Sequence, residues 1–151
     1  MTVLNKNNFL IKLSESPQTS FGKIDFEKQS PAQKVFSSIW AVESEVNNGG
    51  FVQYFCNESA STANYIVVAL LEIKAPKTAA ICEKAITLVF HKGLPTTPEL
   101  ISIDAAKIDG DTRAELNRIS DEFCHYPHDL TELLYDFVVL HATEFGVQSQ
   151  T

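Results

Sequence analysis

The sequence has 151 residues, of which 19 are Asp or Glu and 12 are Lys or Arg, so the formal net charge is −7. A chain of this length typically forms one domain, and its 44% hydrophobic content with ten Phe supplies a core, which argues against wholesale disorder. Because phosphate binding depends on Lys and Arg, the acidic balance argues against direct binding to nucleic acid or to an anionic membrane.

The N-terminal part of the chain is weakly patterned. We treat residues 1–27 as an N-terminal segment of uncertain order, with a short first element at Phe9–Leu13, followed by a helical domain over residues 28–146 and a tail over 147–151. The apolar run of this segment, Phe9–Ile11, is too short for a signal peptide.

The first strong helix signal begins at Ser30, where Ser30-Pro31-Ala32-Gln33 has the pattern of a capping box with Pro at the first helical position. The apolar residues that follow recur at helical spacing: Val35, Ile39, Val42 and Val46. We expect this helix to stop at Asn47–Gly50, because Asn and Gly tolerate the left-handed conformation that closes helices.

Similar start, stop and periodicity signals predict five further helices. They cover residues 58–74 with Ala63, Ile66, Leu70 and Ile73 inward; a segment from Pro76 that ends before Gly93, with Ile81, Ala85, Leu88 and Val89 inward; Pro98 to about Ala106; a segment after the Asp109–Asp111 cap with Leu116, Ile119 and Phe123 inward; and a last helix capped by Asp129. No segment alternates with a period of two for long enough to indicate a strand. The predicted fold class is all-α, a single compact domain of about six to seven helices.

The compartment follows from what the chain lacks. The longest uninterrupted apolar run, Ile66–Leu71, has six residues, against about 20 for a membrane span. Three cysteines without C-x-x-C spacing do not suggest a disulfide scaffold. We therefore expect a cytoplasmic protein.

No enzyme signature emerges from the motifs. Glu122–His125 fits the Glu-x-x-His pattern of a di-iron bundle, but the second such pair is missing. There is no G-x-S-x-G and no Gly-rich phosphate loop. We expect a non-enzymatic protein without a cofactor.

Two sets of polar residues remain candidates for a small-molecule or metal site. The first is Cys124, His125 and His128, although structural zinc needs four ligands, and we favour an interhelical turn in which Cys124 packs and the histidines face solvent. The second lies around the Asn-Asn-Gly-Gly-Phe turn and comprises Glu43, Glu45, Gln53 and Asn57. There we favour a structural role, because turn chemistry accounts for each residue type.

The most specific stretch runs from Glu45 to Asn57 and includes Asn47, Asn48, Gly49, Gly50, Phe51, Gln53 and Tyr54. It resembles the signature of the bacterial DNA-mimic-protein-nineteen-like domain family, first catalogued as a domain of unknown function. Two other parts of the sequence are also similar to the family: the start of the preceding helix, Ser30–Phe36, and the C-terminal pattern of Phe123, Tyr126-Pro127 and Asp129-Leu130. The resemblance therefore covers roughly residues 28–146. It implies an all-helical fold and, for the best-known member, an acidic homodimer that occupies the DNA-binding face of a transcriptional regulator.

The charge distribution offers a surface for such a role. Residues 1–98 have eight acidic and nine basic residues, whereas residues 99–151 have eleven acidic and three basic ones, a net charge of −8. No Lys or Arg follows Arg118. The candidate partner-binding residues, which we call the acidic face, are Asp111, Glu115, Asp121, Glu122, Asp129, Glu132 and Asp136.

The charge of the C-terminal segment corresponds to only a short length of DNA. Duplex DNA carries one charge per about 1.7 Å, so eight charges match about 14 Å of duplex, and the charges of a dimer match about 27 Å. This is less than the roughly 34 Å between the half-sites that a helix-turn-helix dimer contacts. An alternative explanation of these acidic residues is structural: some cap helices, and the others form a solvated surface.

Three functions follow from these residues. The leading hypothesis is a DNA mimic, a protein that binds a basic, DNA-binding protein such as a transcriptional regulator and competes with nucleic acid for it. The alternatives are the small-molecule or metal site and an immunity protein against a basic nuclease toxin.

Overall fold

The fold is all-helical, as predicted. The structure, a computed structural model, describes residues 2–16 and 21–147, and within these ranges it contains helices and no strand. The seven α-helices are α1 (Val3–Glu15), α2 (Pro31–Cys56), α3 (Ile66–Glu72), α4 (Pro76–Val89), α5 (Pro98–Ala106), α6 (Gly110–Cys124) and α7 (Leu130–Leu140). Short 3₁₀ turns lie at Phe21–Lys23, Phe26–Lys28, Glu58–Thr62 and Ala142–Phe145. No described helix is long and apolar enough to cross a bilayer.

Helix α2 is the central element, against which α3, α5, α6 and α7 pack. Its start is the predicted capping box: Ser30 Oγ accepts from Gln33 N, and Gln33 Oε1 accepts from Ser30 N. The caps at Thr97, Asp109 and Asp129 also accept backbone N–H bonds at the starts of α5, α6 and α7. Because a cap links residues only three apart, these starts are legible in the sequence.

The predicted stop at Asn47–Gly50 is confirmed for the helical backbone, which is interrupted at Gly49 and Gly50. The chain kinks there and then resumes as a helix through Cys56, with Gly49 at φ −154° and Gly50 at φ +75°, ψ −178°. The second half has an unpaired amide at its start, and Ser120 of α6 satisfies it, since Ser120 Oγ accepts from Phe51 N at 3.0 Å. A partner on another helix thus allows the chain to continue where local signals indicate an end.

Two further features differ from expectation, the extent of one helix and the buried face of another. Residues 58–74 form a 3₁₀ turn followed by the short α3, although the four predicted inward residues are all buried. In α4, Ala85 is buried as predicted but Ile81, Leu88 and Val89 are only half-buried, because the buried face runs through Thr78, Ala79 and Cys82.

The N-terminal segment contains more structure than the short element predicted at Phe9–Leu13. Helix α1 has 13 residues and packs on α7, with Leu10 and Leu13 buried. The division into 1–27, 28–146 and 147–151 stays a prediction, and residues 148–151 of the tail lie outside the described residues.

The helical segment after the kink contributes three aromatic side chains to the core. Phe51, Tyr54 and Phe55 are buried, Phe51 packs edge-on against Phe123 of α6, and Phe55 packs edge-on against Phe90. The buried hydroxyl of Tyr54 pairs with Thr62 Oγ1 at 2.6 Å. The kink therefore directs three aromatic rings into one core.

We expect Gly50→Ala to lower the free energy of unfolding by about 1–3 kcal/mol, because its φ of +75° with extended ψ is a conformation essentially reserved for Gly. An added Cβ would also lie 3.1 Å from Ser120 Oγ. Urea unfolding followed by far-UV circular dichroism measures the change. Gly110→Ala is the control, since no atom lies within 4 Å of its Cβ position; equal losses in both variants would contradict the role of the kink.

Candidate functional site

Glu45 links the two halves of α2 across the kink. Its Oε2 accepts from Gln53 Nε2 at 2.6 Å and from Asn57 Nδ2 at 3.0 Å. Hydrogen bonds to a carboxylate are stronger than those between neutral groups. The three signature residues are therefore engaged with one another, which agrees with the structural role favoured from the sequence.

Gly49 is required by this linkage. A Cβ at Gly49 would collide with Gln53 Oε1, the other end of the amide that binds Glu45. Asn48 is exposed at the kink. The paired glycines thus serve different needs, a close approach at Gly49 and a positive φ at Gly50.

Asn47 connects α2 to the chain between α6 and α7. Its Nδ2 donates to Glu43 O at 2.7 Å and to Tyr126 Oη at 2.6 Å, and its Oδ1 accepts a weak bond from Cys124 Sγ at 3.5 Å. Tyr126 has a positive φ of 50°, uncommon for a non-Gly residue. Its hydroxyl in turn donates to Glu43 Oε1 at 3.1 Å.

Glu43 is a largely buried carboxyl. Burial raises its pKa from 4.5 to about 7; the bond from Tyr126 opposes this shift and the charge of Asp129 adds to it. Glu43 is two residues before Glu45 and therefore about 200° away around the helix axis. The structure thus does not bring Glu43 together with Glu45, Gln53 and Asn57.

A cleft of about 220 Å³ lies beside Glu43, between α1, α2 and α7. We call it the Glu43 cleft, and its lining residues are Asn7, Leu10, Trp40, Glu43, Ser44, Asn47 and Thr131. Of these, sequence reasoning named only Glu43 and Asn47. Trp40 and Ser44 lie on α2 beside Glu43, whereas Asn7, Leu10 and Thr131 come from α1 and α7, and no local pattern groups these three with Glu43.

Three of the seven acidic-face residues are paired with cations. Glu115 binds Arg118 at 2.5 Å, Glu122 binds Lys84 of α4 at 2.6 Å, and Glu132 binds Lys6 of α1. The Arg118 contact is local, because Arg118 lies three residues after Glu115 on α6. Lys6 and Lys84 were not, because both belong to the near-neutral part of the sequence.

The four other acidic-face residues, Asp111, Asp121, Asp129 and Asp136, are exposed and carry no ion pair among the described residues. Asp129 Oδ1 also caps α7 by accepting from Glu132 N at 3.1 Å. On the α7 side, Asp136 shares a shallow cleft with Glu72 and Lys74 of the α3 end. The free carboxylates are thus spread along two helices. Helix α6 packs on α2 and α4, whereas α7 packs on α1 and α2.

The structure does not bring Cys124, His125 and His128 together around one point. His125 Nδ1 lies 2.6 Å from Asp121 O, and His128 Nε2 accepts from Lys77 N at 3.1 Å, at the start of α4. Cys124 is exposed, so the expectation that it packs is wrong. Among residues 2–16 and 21–147, no group of three His, Cys, Asp or Glu side chains is placed to hold a metal ion.

Comparison with known proteins gives one match. A family model described as "DMP19-like protein" matches residues 27–141, more than half of the chain. No curated protein and no solved structure matches this sequence.

We expect Glu43→Gln to change the pH dependence of stability. The pKa of Glu43 is about 7 in the folded chain against an ordinary 4.5, so the folded state binds more protons between these values. The free energy of unfolding therefore falls as pH rises from about 4.5 to 7, by up to about 3 kcal/mol, and stays lower above pH 7.

The Gln variant lacks this decline while keeping an acceptor for Tyr126. Relative to the parent it gains stability at pH 8 and gains none at pH 4.5, as measured by urea unfolding across that range. Glu83→Gln, at an exposed position of α4, is the matched control with an unchanged profile. Parallel profiles for the parent and Glu43→Gln would refute the raised pKa.

Proposed function

This chain belongs to the DMP19-like protein family, and we propose that it is a non-enzymatic DNA mimic that binds a basic, DNA-binding protein and competes with nucleic acid for it. Family membership supports a DNA-mimic-like protein. The contact surface we propose is the acidic face on α6 and α7.

The observation that carries the proposal is the set of four unpaired carboxylates. Asp111, Asp121, Asp129 and Asp136 are exposed, and none of them forms an ion pair with a Lys or Arg of the described residues, although the charge of Asp136 acts on Lys6. Carboxylates of this kind attract the Lys and Arg side chains with which DNA-binding proteins contact phosphates. The net charge of −7 favours a basic protein over nucleic acid as the partner.

The ion pairs make the surface smaller than the sequence alone indicates. Four free carboxylates match the charge of about 7 Å of duplex, and of about 14 Å in a two-fold dimer. This density supports docking on a basic patch rather than replication of a full operator site. Shape and apolar contacts must then add to the affinity.

The first experiment is affinity capture from the native cell at low salt, followed by displacement with duplex DNA. We expect a basic DNA-binding protein that DNA displaces and that added salt releases. Capture of a nuclease toxin would instead assign the surface to the immunity function. Recovery of no basic partner at low salt, or an affinity insensitive to salt, would refute the proposal.

We expect replacement of the four free aspartates by Asn to weaken partner binding at least tenfold at low salt and to flatten its salt dependence, because charge steering is lost. Asn at position 129 preserves the helix cap. The control replaces four exposed acids elsewhere by their amides, at Glu58, Glu83, Glu99 and Asp104. Equal losses in the two variants would indicate a net-charge effect and contradict a located surface.

A further inference from the structure

The Glu43 cleft contains features that have no role in binding at the acidic face. It lies where α1, α2 and α7 meet, and a largely buried carboxyl lines it beside an aromatic ring. We propose that this cleft binds a small organic cation, an alkylammonium or guanidinium group, with Glu43 as the counter-ion. The inference is independent of the acidic face.

The carboxyl of Glu43 is only half engaged. Tyr126 Oη donates to Oε1, while Oε2 receives no hydrogen bond from the described residues. Nor does any Lys, Arg or His in the described ranges pair with Glu43. Oε2 is not one of the buried side-chain atoms that lack a hydrogen-bond partner, so it is accessible to solvent, and a cation in the cleft would be a charged partner for it.

The rest of the lining suits a cation with an alkyl chain. Trp40 and Leu10 provide apolar surface, and the Trp40 ring is held by stacking on Phe36 at 5.5 Å between centroids. A Trp face attracts cations. Asn7, Ser44 and Thr131 also line the cleft, and residues of these types have side-chain oxygens that can accept N–H bonds. The volume of about 220 Å³ is several times the roughly 30 Å³ share of one water molecule.

The charged and titratable groups around the cleft leave Glu43 available. On α1, Lys6 is bound to Glu132 of α7 and lies over the Tyr135 ring. Between α6 and α7, Tyr126 donates to Glu43 and Asp129 raises its pKa. On α2, Glu45 is engaged with Gln53 and Asn57.

Binding should therefore depend on pH. The unliganded carboxyl has a pKa of about 7, so a cation must displace its proton at lower pH. The affinity for a cation rises as pH increases through 7 and falls up to tenfold per pH unit below it. A neutral molecule of the same shape has no such dependence.

The test uses n-butylammonium chloride as the probe, titrated into the full chain by two-dimensional NMR at pH 6 and pH 8 and constant ionic strength. We expect saturable shifts around the cleft, with an affinity at least fivefold higher at pH 8. Glu43→Gln should weaken binding at least tenfold and abolish the pH dependence, whereas Glu83→Gln should leave both unchanged.

Neutral n-butanol at the same concentrations should bind at least tenfold more weakly than n-butylammonium at pH 8. Equal binding of butanol, unchanged binding to a folded Glu43→Gln variant, or no saturable shift at tens of millimolar would each overturn the inference. Because the probe assay contains no partner protein, its failure leaves the proposed function untouched, and the reverse also holds.

The cation has two sources that share this chemistry, a free amine or a basic side chain of a bound protein. Adding n-butylammonium to the captured complex, with KCl at equal ionic strength as control, distinguishes them. Release by the amine alone assigns the site to a partner side chain. Retention of the complex at saturating amine assigns it to a free ligand.

Discussion

The kink in the middle of α2 is the constraint on which the rest of the structure depends. A straight helix of 26 residues would extend about 39 Å and carry Phe51, Tyr54 and Phe55 past the core. The positive φ of Gly50 changes the direction of the chain, and the bond from Phe51 N to Ser120 Oγ joins the second half of α2 to α6. Since α3, α5, α6 and α7 all pack on α2, the course of this helix is central to their arrangement.

Two glutamates that precede the kink look alike in the sequence but point to different sides of α2, because two residues correspond to about 200° around the helix axis. Glu45 bridges the bend to Gln53 and Asn57 and has a structural task. Glu43, on the other side of the helix, lies under Tyr126, and its burial raises its pKa to about 7. This part of α2 therefore combines a structural linkage at Glu45 with a largely buried carboxyl at Glu43 that lines an open cleft.

The acidic surface shows how folding changes a charge pattern. The last 33 residues contain six acids and no Lys or Arg, yet Lys6 reaches Glu132, and Lys84 reaches Glu122. An exposed pair such as Lys84–Glu122 contributes little to stability, about 0–1 kcal/mol, but both pairs reduce the charge that a partner would meet. What remains is a set of four exposed aspartates without ion pairs, on α6, on α7 and at its N-cap, fewer free charges than the sequence indicates.

Local signals in the sequence determined the all-helical class, the starts of α2, α5, α6 and α7, and the residues of the signature. Caps and apolar periodicity act over three or four residues, so a single sequence displays them. Only the tertiary structure decided that α2 continues through Gly49 and Gly50, that Tyr126 meets Glu43, and that Lys6 neutralises Glu132. These contacts join residues 69 to 126 positions apart, and they exist because helix packing, which no local pattern encodes, places those side chains together.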